Sequence, residues 1–574
     1  MIHHILPSRR QSHRTTQDTQ VGARSNRRTF FMGAIFVAAL AGSLCVQFRV
    51  QILNHFSVLY GDRYDATIVA TILEHWFNVI RGLSKWNEAN YFFPHTNTLA
   101  QTDGYFLAGL IYSIFRAFRL DPFLASELTN LIIRAIGFSA FFVACRRIVR
   151  LPFSWSILAA ILFVINNSET AHGQRLQLAT VSFAPILAII IWKTCCSLYK
   201  GSQHFFICWG ALAGIFVGAW SITCFYMTWF SLYFLAAALI VAVLAAGPAQ
   251  RRVLGMRLRE MKWAIGLIIA IFAGSIYPLL STYLPKARES GMRTVSSALE
   301  NTVPLQNVTR VGAKNLLFGP SYDALLRAFD PASANVGEYY NTGTAPILFF
   351  LFALGCAYIL KNKQLKSASP ALFSIVIATI ITWATIINIR GHSLWQVIYY
   401  TIPGAKALNV VSAYQIFILM AVIPISLVYL SKAAGKMPRP VTLLLAALLC
   451  YEELNHGYIT LNRNDELQRV ALKQPIPNQC DSFLVSGWNN QNLAEPMPLW
   501  INNYYAHNVT AMLIAELINV PTINGVASFN PPDWNFGFPN NSDYFQRSHE
   551  YTEKYHLIHT CKLDLNTKRW SVSW

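Results

Sequence analysis

Length and composition place the chain among integral membrane proteins. It has 574 residues, of which 54% are hydrophobic and only 13% are charged, whereas soluble domains contain about 25% charged residues. This composition excludes one large soluble domain, and the many Phe, Tyr and Trp residues suit aromatic belts at two membrane interfaces.

The formal net charge of +19 is concentrated in six short segments. Together they contain 22 of the 46 Lys and Arg residues but only two of the 27 acids, Asp18 and Glu260. Basic segments beside apolar runs orient a membrane protein with those segments in the cytoplasm, where they meet anionic headgroups. The distribution therefore argues against a nucleic-acid partner. The basic segments are 1–28, 146–150, 193–203, 248–262, 361–366 and 432–439.

Apolar runs long enough to cross a bilayer, which takes roughly 20 residues, predict about eleven transmembrane helices. With the N-terminus inside, this count places every basic segment in the cytoplasm and the C-terminus outside. The first helix is interpreted as an uncleaved anchor rather than a cleaved signal peptide. The fifth and sixth helices are joined so tightly, around Ser221 to Cys224, that their boundary is open. The predicted helices are 29–48, 125–145, 153–167, 178–195, 204–222, 224–247, 263–284, 345–360, 370–389, 412–431 and 439–455.

The chain is predicted to be an all-α polytopic membrane bundle with a small α/β domain outside the membrane. Short apolar runs between Pro, Gly and Asn turns predict that α/β domain. Residues 104–118 are apolar but too short and too basic to span, so we expect a helix lying on the outer interface. The predicted parts are a basic cytoplasmic tail (1–28), a transmembrane domain (29–455) with external loops at 49–124, 285–344 and 390–411, and an extracytoplasmic C-terminal domain (456–574).

The ten cysteines give no metal-binding pattern, because none has zinc-ligand spacing. Eight lie in apolar runs and are predicted to be small core residues. Cys480 and Cys561 lie in the polar C-terminal part. In an oxidising compartment they form either a disulfide or two free thiols, and the sequence leaves both alternatives open.

The first predicted external loop begins with two acids, in Gly61-Asp62-Arg63-Tyr64-Asp65. Carboxylates beside a membrane are costly unless they are solvated, paired or functional. These acids therefore either cap the start of a helix, where negative charge is favourable, or carry chemistry. Further along the same predicted loop lie an aromatic-Pro-His turn at His95 and the acid Asp103. We therefore expect both on the same side of the membrane as the acidic pair.

The order of these features resembles the GT-C superfamily of polytopic glycosyltransferases, which use a polyprenyl-phosphate sugar donor outside the cytoplasmic membrane or in the lumen. The resemblance implies a GT-C-like fold. It also implies that Asp62 or Asp65 occupies the place of the essential acid of the family, and Asp103 that of a second acid. The C-terminal stretches Pro521–Gly525 and Pro531–Trp534 are similar to the tails of bacterial members, which implies a bacterial inner membrane.

Sugar transfer from a lipid phosphate needs a base for the acceptor proton and positive charge for the departing phosphate. Asp65 is predicted to be the base, with Asp62 as its helper or as a metal ligand. The oxygen ligands of Asp62, Asp65 and Asp103 would suit magnesium or manganese. The need for a divalent cation is left open.

Candidate phosphate ligands are cations and histidines on the predicted outer side. His172 and Arg175 lie between the third and fourth predicted helices, and Arg175 can bind phosphate through two nitrogens. Each is alternatively a polar cap or a solvated charge. Arg134, inside the second predicted helix, is expected to pair with an acid or to extend toward the interface. The remaining candidates for substrate binding are His95, Arg310, Arg390 and His392.

The predicted function is therefore a membrane glycosyltransferase, of hexosyl or pentosyl type. It would move a sugar from a polyprenyl-phosphate donor to a cell-envelope glycan or lipid. The alternative is a transporter or flippase of a lipid-linked glycan, although the repeated halves and broken helices typical of transporters are not evident. A non-catalytic assembly protein is a third class, and it predicts tolerance of changes at Asp62, Asp65 and Asp103. Phosphate-binding and dinucleotide-binding glycine motifs do not occur.

Overall fold

The computed structural model describes residues 14–173, 175–329, 337–457, 459–488 and 499–572. Residues 1–13 of the predicted cytoplasmic tail, and Gln174 beside the candidate Arg175, lie outside the described residues.

The N-terminal half of the chain is helical apart from one short strand. Its elements are α1 (Arg14–Gln47), α2 (Arg49–Leu53), β1 (Val58–Tyr60), α3 (Asp65–Ile80), α4 (Phe106–Ala117), α5 (Pro122–Ala144), α6 (Phe153–Ile165), α7 (Asn167–Ala171), α8 (Leu176–Ala179), α9 (Ala184–Lys200), α10 (Gln203–Thr223), α11 (Phe225–Ala245), α12 (Pro248–Glu260) and α13 (Lys262–Ser290).

The C-terminal half alternates helices with short strands. Its elements are α14 (Val295–Glu300), β2 (Val303–Pro304), α15 (Gly319–Phe329), α16 (Pro346–Lys361), α17 (Lys363–Ala368), α18 (Pro370–Ile386), β3 (Ile387–Ile389), β4 (His392–Ser393), α19 (Trp395–Thr401), α20 (Tyr414–Ala433), α21 (Arg439–Glu452), β5 (Thr460–Asn462), α22 (Arg463–Val470), β6 (Ser482–Ser486), α23 (Leu499–Ile518), α24 (Tyr544–Lys554), β7 (Thr560–Asp564) and β8 (Arg569–Val572).

Within the described ranges, seven helical segments are long and apolar enough to cross a membrane. This differs from the predicted count of eleven. The other four predicted spans are helices of only 13, 16, 17 and 14 residues (α6, α16, α18 and α21), and at 1.5 Å per residue they are shorter than a bilayer core of about 30 Å. The seven segments are Thr29–Gln47, Pro122–Val149, Leu176–Lys200, Gln203–Thr223, Phe225–Ala245, Lys262–Ser290 and Val411–Lys436.

The tight junction predicted between the fifth and sixth helices is present. Helix α10 ends at Thr223 and α11 begins at Phe225, with only Cys224, in an extended conformation, between them. The Thr223 carbonyl accepts a hydrogen bond from the Tyr105 amide at 3.0 Å, and the Thr223 hydroxyl accepts one from Leu107 at 2.9 Å. The junction thereby fixes the start of α4 and, just before it, the end of the acidic first loop.

Small residues allow α10 and α13 to pack closely. Gly210, Gly214 and Gly218 recur every fourth residue along α10 and face α13. A Cβ atom at Gly218 would lie only 2.4 Å from the carbonyl oxygen of Ser275. Without a strong hydrophobic force between helices in lipid, such close packing is a principal source of helix association. The four-residue spacing of these glycines is the sequence signal for this close helix contact.

The first loop and the C-terminal segment pack together in two hydrophobic clusters. Strand β1 pairs antiparallel with β5, with Leu59 opposite Leu461, and helix α3 packs on α23. Phe92 from the loop packs among C-terminal side chains, with its ring 5.1 Å from that of Trp534. The C-terminal segment is thus packed against the loop rather than folded apart from it.

The expected mixture of strands and helices is present in the C-terminal segment. Strand β6 runs parallel to β7, and β8 pairs antiparallel with β7, with α23 and α24 beside the sheet. Of the two alternatives for the thiols, the structure has the disulfide: Cys480 and Cys561 are bonded, with their Cα atoms 5.6 Å apart.

A buried carboxylate, that of Glu516 on α23, joins the two parts. Its oxygens accept hydrogen bonds from the Asn90 amide at 2.7 Å and from Asn78 Nδ2 at 3.0 Å. The Nδ1 atom of His75 lies 3.6 Å from the same carboxylate. Because all of these groups are buried or nearly so, removing the acceptor would leave several donors without partners.

We therefore expect Glu516→Ala to destabilise the protein by about 3 kcal/mol, the cost typical of breaking a buried charged contact. Thermal unfolding of the purified protein in detergent measures the effect. Glu550→Ala, which removes an exposed acid from α24, is the matched control and should leave the midpoint unchanged. Equal midpoints for the two variants would show that Glu516 does not stabilise the contact between the first loop and the C-terminal segment.

A second buried group in this region, His507 on α23, is fully enclosed. Among the described residues neither of its ring nitrogens has a hydrogen-bond partner. Burial disfavours the charged imidazolium and lowers the pKa of His507 to about 3. Below about pH 6.5 an unfolded chain binds a proton at this position and the folded chain does not, so this group costs stability as the pH falls from about 6.5 toward 3.

We expect His507→Phe to remove this part of the pH dependence. The stability of the variant relative to the natural protein should therefore be greater at about pH 5 than at about pH 7.5. Thermal midpoints of both proteins at the two pH values test this. Only the difference between the proteins is informative, because the buried acids Asp62 and Asp103 titrate in the opposite sense. A constant difference would contradict the prediction.

Candidate active site

The acidic pair occupies a tight turn at the start of α3. Gly61 has a positive φ of 128°, and a Cβ atom there would lie 2.4 Å from that of Ala66. The Asp62 carboxylate accepts hydrogen bonds from the amides of Tyr64 at 2.8 Å and Asp65 at 2.6 Å. Asp62 therefore caps the helix, one of the two alternatives left open by the sequence, while Asp65 is the first helical residue.

Burial, followed by the negative charge of Asp65, raises the pKa of Asp62 to about 6. The two backbone hydrogen bonds and the charge of Arg175 act in the opposite direction. The charge state of Asp62 therefore depends on the neighbouring carboxylate of Asp65 and on the cation Arg175.

A buried ion pair fixes the segment that carries this cation. Arg134 Nη1 lies 2.6 Å from the Glu169 carboxylate, which confirms the expected pairing of Arg134 with an acid. Asn130 Nδ2 donates to the Gly173 carbonyl at 3.1 Å. Both anchors come from α5, so they hold the turn before Arg175 against a membrane helix.

Arg175 lies between two carboxylates from distant parts of the chain. Its Nη1 atom is 2.6 Å from Glu338 Oε2, and its Nε atom is 3.6 Å from Asp65 Oδ2. Burial raises the pKa of Glu338, but the hydrogen bond and charge of Arg175 outweigh it and lower that pKa below its usual value. Arg175 therefore positions Asp65, a role that the sequence did not suggest; binding of phosphate by Arg175 stays a prediction.

His172 lies beside this cluster but is not a cation. Its Nδ1 atom is 2.9 Å from the Ser168 carbonyl. Burial, and then the positive charge of Arg175, lower the pKa of His172 to about 4. The imidazole is consequently neutral at neutral pH. With its Nδ1–H on the Ser168 carbonyl, its Nε2 can accept a hydrogen bond from a substrate but supplies no charge.

The third predicted acid, Asp103, caps α11. It accepts a hydrogen bond from the Phe225 amide at 3.1 Å, and burial raises the pKa of Asp103 to about 6. The neighbouring Tyr105 hydroxyl donates to Gln177 at 2.8 Å. Burial, and then the charges of Asp103 and Asp65 among others, raise the pKa of Tyr105, so this ring lies within range of both acids.

The predicted metal ligands do not converge. Asp62 and Asp65 are at the start of α3, whereas Asp103 is at the start of α11, and one oxygen of Asp62 is already bound by two amides. In the part of the chain that the structure describes, no group of three His, Cys, Asp or Glu side chains is close enough to hold a metal ion. The magnesium or manganese site proposed from the sequence does not fit this arrangement.

A cavity of about 540 Å³ lies next to Asp103, between α11, α13, α19 and a C-terminal loop. Its walls are mainly apolar, and its charged lining residues are Asp103 and three cations, Lys286, Arg293 and Lys406. The lining includes Asp103, Phe225, Leu279, Leu280, Tyr283, Lys286, Arg293, Tyr399, Ile402, Lys406 and Phe529.

Two of these cations are held by aromatic rings. Arg293 lies over the ring of Phe529 at 4.6 Å and donates to the Ser528 carbonyl at 2.9 Å. Lys406 Nζ lies 5.8 Å and 5.9 Å from the rings of Tyr399 and Tyr400. Sequence reasoning missed them as ligands, although both occur in segments predicted to be external and so could have been grouped with the other outer cations.

Three further predicted ligands, Arg310, Arg390 and His392, are either buried in another ion pair or exposed on a hairpin. Arg310 is only 1% exposed; its Nε atom is 3.0 Å from Asp323 and its guanidinium lies over Tyr340, so it is enclosed within the protein. Arg390 and His392 are exposed on the hairpin between β3 and β4.

His95 lies at the contact between the first loop and the C-terminal segment. Its Nε2 atom is 3.1 Å from Asp533 and its Nδ1 atom 3.8 Å from Glu289. Glu289 in turn pairs with Lys286 at 2.8 Å. His95 is therefore linked to the cavity through two intervening side chains and is not part of its lining.

No protein-family model matches the sequence, and a search of characterised proteins gave no similar sequence. Solved structures similar to this chain include the apo oligosaccharyltransferase of Archaeoglobus fulgidus, at 12% identity, a TM-score of 0.46, and coverage of 92% of this chain and 69% of that one. Another is the oligosaccharyltransferase AglB of the same organism in complex with an inhibitory peptide and a dolichol-phosphate, at 14% identity, a TM-score of 0.47, and coverage of 93% and 70%. A third is that enzyme tethered to an acceptor peptide, at 12% identity, a TM-score of 0.45, and coverage of 93% and 69%.

The similarity concerns the path of the chain. At 12–14% identity and TM-scores of 0.45–0.47 it is a likeness of fold alone.

We expect Arg175→Lys to lower any activity that depends on Asp65 by about tenfold or more. Lysine keeps the charge but loses the planar, multi-nitrogen contact with Glu338 and Asp65. Thermal midpoints should change little, because lysine keeps a positive charge beside the two carboxylates. Arg547→Lys, at an exposed pair with Asp543, is the control. Full activity of the Arg175 variant would remove Arg175 from the site.

Proposed function

We propose that the protein is a membrane glycosyltransferase that moves one sugar from a polyprenyl-phosphate donor to an acceptor on the outer side of the cytoplasmic membrane. The N-terminus would lie inside and the C-terminal segment outside, as the distribution of basic residues predicts. The acceptor would be a glycan or lipid of a bacterial cell envelope.

The juxtaposition of a positioned carboxylate and a cation-bearing apolar cavity supports this proposal. Burial, and then the charges of Asp65, Arg293 and Asp62, act on the pKa of Tyr505, so the electrostatic fields of the acids and of the cavity cation Arg293 overlap at this ring. An apolar cavity can enclose the first isoprene units of a lipid, and cations at its wall offset the charge of a phosphate.

In the proposed reaction Asp65 takes the proton of an acceptor hydroxyl as that oxygen forms a bond to the anomeric carbon of the sugar. The bond between this carbon and the phosphate oxygen breaks, and its electron pair leaves with the lipid phosphate. Arg293 and Lys406 offset the negative charge that develops on the phosphate. Arg175 keeps Asp65 in position, and Asp62 fixes the helix turn from which Asp65 projects.

We expect Asp65→Asn to abolish sugar transfer while leaving the protein folded, because an amide cannot accept the proton. The measurement is transfer of labelled sugar by purified protein in nanodiscs, with thermal unfolding as the test of folding. Asp465→Asn is the matched control, since Asp465 is an exposed acid in the first turn of α22. Full transfer by the Asp65 variant would remove Asp65 from the role of base.

A further inference from the structure

The first turns of α23 carry an unusual run of aromatic and amide side chains. None of these side chains is charged, and several are partly or largely exposed. The residues are Trp500, Asn502, Asn503, Tyr504 and Tyr505, and we refer to them as the aromatic strip.

One edge of the aromatic strip borders the acidic pair. The ring of Tyr505 lies 5.7 Å from that of Tyr64, the residue between Asp62 and Asp65 in the turn. The Tyr64 hydroxyl donates a hydrogen bond to the Asn502 side chain. A molecule lying on Tyr505 would consequently place its groups beside Asp65.

The strip then runs around α23 away from the acids. The ring of Tyr504 is 5.5 Å from that of Tyr505 and 5.1 Å from that of Phe538. Trp500 lies one helical turn before Tyr504, on the same side of the helix, and is 60% exposed.

The surrounding loop fixes the strip rather than covering it. Gly537 packs directly on the Tyr504 ring, where a Cβ atom would be only 2.4 Å away. Asn530 donates to the Tyr504 hydroxyl, and Asn540 Nδ2 donates to Asn503 Oδ1 at 3.3 Å. The rings are thereby held in place before any ligand arrives, which lowers the entropic cost of binding.

This chemistry fits a carbohydrate. A pyranose ring has an apolar C–H face that can cover an aromatic ring, and its hydroxyls pair with amides, which offer both donors and acceptors. Because the named side chains carry no charge, the matching ligand is a neutral one. Rings at Tyr505, Tyr504 and Trp500 suit more than one sugar unit.

We propose that the aromatic strip binds a neutral oligosaccharide whose terminal hydroxyl is directed toward Asp65. That this glycan is the acceptor, rather than a bound effector, rests on the proposed glycosyltransferase function. The binding itself does not, so the two can fail separately.

The test is binding without any donor. Full-length protein in nanodiscs is titrated by calorimetry with neutral hexaoses of glucose, mannose and N-acetylglucosamine in different linkages, and with uncharged hexapeptides. Trp500→Ala, Trp500→Phe and, as an exposed aromatic outside the strip, Phe545→Ala are compared with the natural protein.

We expect at least one oligosaccharide to bind, and Trp500→Ala to weaken it about tenfold, which corresponds to about 1.4 kcal/mol. Trp500→Phe should retain most of the affinity and Phe545→Ala all of it. Binding of no oligosaccharide, binding unaffected by Trp500→Ala, or peptide binding that depends on Trp500 would each overturn the proposal. Because no sugar is transferred in this experiment, its result is independent of whether the protein is an enzyme.

Discussion

The site depends on one buried contact between two distant parts of the chain. Glu516 is enclosed on α23, and its carboxylate receives nitrogen donors from α3 and from the loop that follows it. A charge at such a depth is tolerated only with these partners. The contact holds α3 against α23, so Tyr64, next to Asp65 at the start of one helix, packs against Tyr505 on the other. The acidic turn, the aromatic strip and the cavity wall formed by Phe529 all follow from this docking.

The charges in the site come from three segments. Asp62 and Asp65 lie at the start of α3, Arg175 in the turn before α8, and Glu338 in the loop before α16. In a half-buried setting these charges act on one another more strongly than in water. Two predicted catalytic acids, Asp62 and Asp103, also accept hydrogen bonds from amides at the starts of helices, so each has a structural role.

Features that depend on a local sequence pattern could be predicted from the sequence. Apolar runs located the membrane helices, and the acid-Arg-Tyr-acid spacing located the turn at the start of α3. Helix count was less predictable, because buried helices such as α6 have apolar composition but need not cross the full bilayer. The pairing of Arg175 with Glu338, the enclosure of Arg310 and the gathering of Lys286, Arg293 and Lys406 around one cavity depend on contacts over 100 residues or more, or on burial. No local pattern encodes these features.

The role of the aromatic strip could not be predicted from the sequence either, because it depends on distant neighbours. Its residues were visible as a run of Trp, Asn and Tyr, yet a run of this kind in a tail indicates nothing until its neighbours are known. Only the position of Tyr505 beside Tyr64 connects it to the acids.

The most direct measurement follows the fate of a labelled polyprenyl-phosphate sugar when purified protein in nanodiscs meets an extract of envelope acceptors. If the protein is a glycosyltransferase, the bond between sugar and phosphate breaks. Labelled sugar then appears on an acceptor, and free polyprenyl phosphate accumulates in equal amount. Movement of an intact lipid-linked glycan across a vesicle membrane, with no bond broken, would contradict the proposed function and would identify a transporter.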